Sequence, residues 1–107
     1  MYNVFNVKEK IQINQESVSK QLLAETPEMR VALIGLAAGQ KMTPHKAPVR
    51  LLMYCVQGKG TILIGDNNER IEASEGTAVV CDPMVPHGFE ADKGDSFVIM
   101  AVVTAVD

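Results

Sequence analysis

Clusters of basic residues are missing from this sequence. Its ten lysines and arginines are scattered from Lys8 to Lys93 and the net charge is −3, so a nucleic-acid surface is not expected. Long hydrophobic runs are missing too. Nothing approaches the roughly 20 consecutive apolar residues that span a bilayer. The N-terminus, MYNVFNVKEKIQINQ, alternates apolar and polar residues and lacks the basic start and apolar run of a secretory signal. The expectation is a soluble, cytoplasmic protein with neither membrane nor nucleic-acid partners. Cysteine is scarce: Cys55 and Cys81 both lie inside apolar runs, and in a reducing compartment such residues are read as buried thiols rather than as a disulfide. Tryptophan and internal repeats are absent, and histidine occurs only twice, as His45 and His87.

What is present is the composition of a chain that folds. Hydrophobic residues make up 47% and charged residues 21%, ordinary for a protein with a buried core. At 107 residues there is room for one such core, so a single domain spanning 1–107 is expected. Short runs rich in Val, Ile, Leu and aromatics recur along the chain: YNVFNV, SVSKQLLAE, MRVALIGLA, LLMYCVQG, GTILIG, RIEA, GTAVVC and SFVIMAVVTAV. Turn residues separate them, in TPE, GKG, GDNNE, SEG and DKGD, which reads as an all-β protein. The clearest hairpin is ILIGDNNERIEA, where Gly65 to Asn68 supply the backbone freedom of a tight reversal. Helix is expected almost nowhere; residues 16–25 read as strand or helix, with strand preferred. Periodicity leaves two architectures open, a jelly-roll barrel and an immunoglobulin-like sandwich.

The two histidine segments bear on that choice. In AGQKMTPHKAPVRLLMYCVQGKG, Gly39 stands six residues before His45 and Gly58 thirteen after it. In EGTAVVCDPMVPHGFEA, Gly76 precedes His87 by eleven residues, with Pro83 and Pro86 between and Gly88 and Phe89 following. These segments resemble the first and second motifs of the cupins, in order and separated by a short spacer, Lys59 to Glu75. The resemblance covers Gly39 to Ala91, and it implies a small cupin: a jelly-roll β-barrel with both histidines pointing inward.

The same comparison exposes departures. Where the family carries a second histidine and a glutamate, this chain has Ala47 and Leu51; Asp82 takes a proline position and Ala91 an asparagine position. Of the customary metal ligands only His45 and His87 remain. A mononuclear centre normally keeps at least three protein ligands, so any divalent ion, whether Zn, Ni, Mn, Fe or Cu, is expected to be held weakly. Met53 and Met42 are sulfur donors in the neighbourhood and would favour copper, although methionine in an apolar barrel is ordinarily packing. Cys55 lies about 13 Å along the strand from Leu51 and is too far to replace it.

The reading that follows is a small-molecule-binding barrel with a depleted metal site and a pocket lined by His45, Ala47, Leu51, Met53, His87 and Phe89. Its alternative is an enzyme, an isomerase, decarboxylase or dioxygenase, that uses His45 and His87 with or without metal. A histidine base needs an orienting carboxylate or an opposing acid, for which Glu90, Asp82 and Tyr54 are candidates by proximity, although strand parity turns Tyr54 outward. Lys46 and Arg50 flank the first motif, and parity sends both to the solvent side. The chain has no space for a helix-turn-helix beside the barrel, so direct transcriptional control is not expected. SFVIMAVVTAV is apolar at nearly every position and needs cover on both faces, which, with the N-terminal strands, points to a homodimer. Met100 with Val102, or Phe97 with Val103, would supply its surface.

Overall fold

The fold was obtained as a computed structural model, which describes residues 1–105; Val106, the last residue of the final apolar run, lies outside the described residues. Eight strands follow one another: β1 (Ser19–Glu25), β2 (Met29–Leu36), β3 (Lys41–His45), β4 (Val49–Ile64), β5 (Glu69–Ser74), β6 (Ala78–Cys81), β7 (His87–Ala91) and β8 (Phe97–Ala105). All pairings are antiparallel, and β4 belongs to two sheets. Its first half lies in a sheet ordered β1-β2-β8-β4-β6, its second half in one ordered β5-β4-β7-β3. The two sheets face each other across one core, which is the jelly-roll architecture.

The turn expected at GKG does not exist. LLMYCVQG and GTILIG are one 16-residue strand, and the glycines let it bend from sheet to sheet instead of reversing it. The ladder with β8 slips between Cys55 and Gln57, and Gly58 adopts φ 88°, a bulge of the kind that turns a strand round a barrel corner. Two strands escape the apolar patterning. β3, KMTPH, contains Pro44 and is tolerated because it is an edge strand. β7, HGFEA, is too short and mixed to announce itself. Residues 16–25 resolve as strand from Ser19 onward.

Alternation in β8 explains its composition. Phe97, Ile99 and Ala101 point into the core between the sheets with Leu36, Met53, Ile62 and Phe89. Val98 points outward and packs with Leu33 and Val56 against Val7, Ile11, Leu23, Tyr54 and Met100. Cover for that outer face comes from the chain itself. YNVFNV, expected as a strand, is none: the N-terminal segment carries only a 3-10 turn at Lys8–Lys10 and lies across the outside of the first sheet. The approach is close, since a Cβ on Gly35 would fall 2.1 Å from the Gln12 carbonyl oxygen. Gln21 Nε2 donates to the Lys10 carbonyl and Gln40 Nε2 to that of Asn14, pinning the segment down.

Phe89 and Phe97 meet edge to face with centroids 6.5 Å apart, an arrangement that adds about 1 kcal/mol to their area burial. Cys55 and Cys81 are buried free thiols, and burial pushes both above the usual thiol range. Among the described residues no helix is long and apolar enough to cross a membrane.

Candidate functional site

The ladder between β3 and β7 pairs His45 directly with His87. Directly paired residues present their side chains on the same face, and the two imidazole centroids lie 4.5 Å apart with their planes tilted by 59°. The environments of the two rings differ. His87 is 7% exposed, whereas His45, at the end of an edge strand, is open to solvent. His87 Nδ1 lies 3.1 Å from the Val85 carbonyl oxygen. A carbonyl only accepts, so Nδ1 carries the proton and Nε2 is left as the free position of the neutral ring. Burial pushes the His87 pKa below the ordinary imidazole value; the Val85 carbonyl opposes that shift and the neighbouring His45 adds to it.

Both rings line a cavity of about 430 Å³ between the sheets. The second sheet contributes Met42, His45, His87 and Phe89; the first contributes Ala32, Ile34, Leu51, Ala101 and Val103, with Lys20 and Arg30 at its edge. Pairing register accounts for the first set. Leu51 is opposite Val103, which is opposite Arg30; Ala101 is opposite Ala32; Ile34 is opposite Lys20. These are successive rungs on the inward face.

Residues singled out from the sequence divide accordingly. His45, Leu51, His87 and Phe89 come together at the cavity. Met53 is fully buried in the core, one rung below Leu51, and does not reach the cavity surface. Ala47 sits in the connection between β3 and β4, where its carbonyl accepts the Met84 N–H at 2.9 Å. None of the acids considered as partners for a histidine base stands beside the rings. Asp82 pairs with Arg50, Glu90 pairs with Arg70 at 2.9 Å, and Tyr54 lies under the N-terminal segment. Lys46 and Arg50 are exposed.

Lys20 and Arg30 were not visible as site residues in the sequence. Arg30 shares parity with Ala32 and Ile34, but Val31 and Leu33 are equally apolar, so the pattern does not say which face is inward. Lys20 joins the site only through its pairing with Ile34.

The donor set does not fit a metal centre. Two imidazoles are joined by Ala47 and Leu51 at the positions where the family pattern has ligands, and among the described residues no three His, Cys, Asp or Glu side chains converge. The cavity sulfur is the thioether of Met42, and the fixed charges at the edge are the cations of Lys20 and Arg30, which oppose a divalent ion.

Solved structures with this fold are plentiful. A Thermus thermophilus protein superposes with a TM-score of 0.87 at 19% identity, over 95% of this chain and 96% of its own. An RmlC-like cupin from Desulfovibrio desulfuricans gives 0.86 at 20% identity over 97% of both chains. The polyketide cyclase RemF of Streptomyces resistomycificus gives 0.74 at 18% identity, over 85% of this chain and 67% of its own. At such identities the likeness is one of fold. No curated protein matches the sequence. Residues 32–103, running from the β2 rung of the cavity through both histidines to Val103, match the family described as Cupin domain, and the chain belongs to that family.

Proposed function

We propose that this cupin binds a small molecule with an apolar body and a polar head in the cavity between its sheets. The observation that carries the reading is the cavity itself. Its volume of about 430 Å³ falls within the roughly 300–1,000 Å³ typical of small-molecule sites. Apolar walls from Ala32, Ile34, Met42, Leu51, Phe89, Ala101 and Val103 surround a few polar groups, the composition such sites favour.

Calorimetry and thermal shift with hexanamide, benzamide and the corresponding acids test it. Binding of at least one compound should raise the unfolding temperature, and Ala32→Phe, which fills the cavity, should abolish it. If none of the four binds wild-type protein, the reading fails.

A second reading, metal-free acid–base catalysis, has one observation in its favour. With its Nδ1–H held by Val85 and its burial opposing charge, His87 is set as a neutral base with Nε2 available. That reading requires a bound ligand to be chemically changed over time. Proton NMR of the ligand with wild type and with His87→Gln distinguishes it from simple binding.

A further inference from the structure

Among the described residues the cavity carries charge of one sign: Lys20 and Arg30 line it and no carboxylate does. We infer that the ligand's polar head is an anion, a carboxylate in its simplest form, held by Lys20 and Arg30 beside the His45–His87 pair while its apolar body lies along Leu51, Phe89 and Val103. This inference rests on the small-molecule reading above and adds the chemical class of the ligand.

The two cations come from neighbouring strands and face the same way. Lys20 of β1 is opposite Ile34, and Arg30 lies four residues from Ile34 along β2. Their backbone positions are thus roughly 13 Å apart along the sheet, a gap that two extended cationic side chains close from either side. On the rung between them Ala32 pairs with Leu22, which is 54% exposed. Guanidinium and ammonium groups are the side chains that recognise carboxylate and phosphate oxygens through charge-assisted hydrogen bonds.

Both groups are available for that role. Among the described residues Lys20 makes no ion pair. Arg30 has one, a 3.8 Å contact from Nη1 to Glu25, with both side chains more than half exposed. Exposed pairs of this length contribute little, and one contact leaves most of the five guanidinium donors free. Glu25 is therefore a weak internal competitor for the place the ligand's head would take.

Matched probes differing only in charge test the inference: hexanoate against hexanamide, and benzoate against benzamide. The acid of each pair should bind wild type at least about ten-fold more tightly than its amide, a preference that shrinks as salt is raised. Lys20→Gln and Arg30→Gln should each weaken acid binding several-fold, and together they should erase the preference by weakening the acid more than the amide. Glu25→Gln should tighten the acid and not the amide. Equal affinity of acid and amide for wild type, or a preference that survives in the double variant, overturns the inference while leaving the small-molecule reading in place. Failure of all four probes to bind overturns both.

Discussion

On the rung shared by β3 and β7, His87 is buried and its partner His45 is open to solvent, although the two rings are 4.5 Å apart. The pair therefore combines one wet and one dry imidazole, and burial disfavours the charged form of the dry one. That preference links stability to pH. Below the ordinary imidazole value of 6.5 the unfolded chain protonates residue 87 while the folded protein resists, so the unfolded state binds more protons there. Stability is complete above that value and is lost as the pH falls through the depressed folded one. The unfolding temperature should drop between about pH 7.5 and about pH 5, and His87→Gln should flatten the slope. A wild-type slope of the opposite sign, or one unchanged in the variant, would refute the assignment.

The metal question has a direct test. Wild-type protein should lose any divalent ion on dialysis against chelator, leaving occupancy well below one by elemental analysis. Leu51 lines the cavity with both histidines and is only 5% exposed, so Leu51→Glu supplies a third donor type at a dry position. Without metal this variant should be less stable than wild type, because it buries an unpaired carboxylate. Zinc or nickel at a hundred-fold excess over Kd should then return about 2.7 kcal/mol, and adding His45→Ala should abolish the gain. A stoichiometric ion retained by dialysed wild type would mean that the site is complete as it stands.

Gly58 holds the corner of β4. Its φ of 88° is costly for any side chain, and a Cβ there would fall 1.8 Å from the Ser96 carbonyl oxygen. Gly58→Ala should cost about 3 kcal/mol or more in urea unfolding. A loss below about 1 kcal/mol would show that the bulge relaxes easily.

The outer face of the first sheet retains one apolar rung that the N-terminal segment does not cover: Ala24, Val31, Val102, Leu52 and Val80, paired in that order across five strands. Val80 is 65% exposed. A second copy of the chain is the occupant we expect, since a two-fold axis lays an uncharged apolar row onto itself. Sedimentation at micromolar concentration should show a dimer, and Leu52→Lys should give a folded monomer by the same measurement and circular dichroism. A wild-type monomer would rule the interface out.

The sequence by itself determined the β class, the turn at Gly65–Asn68 and, through two spaced segments, the cupin barrel; of the two histidines expected inside it, His87 is buried and His45 is open to solvent. Those features are local: alternation, turn chemistry and fixed intervals survive in one dimension. It also showed that the ligand set was depleted, because the absence of a side chain at positions 47 and 51 needs no structure to be seen. Tertiary structure decided which faces meet. The register of the β1–β2 hairpin places Lys20 beside Ile34, and only pairing between strands distant in sequence places Arg30 beside Val103, keeps Met53 beneath the cavity and Ala47 outside it, and sends Asp82 and Glu90 to arginines. In β2 and β8 both faces are apolar, so parity carries no sign. The N-terminal segment accounts for part of this: by crossing the outside of the first sheet it covers Leu33, Val56 and Val98, removing there the polar alternation from which an inward face is read.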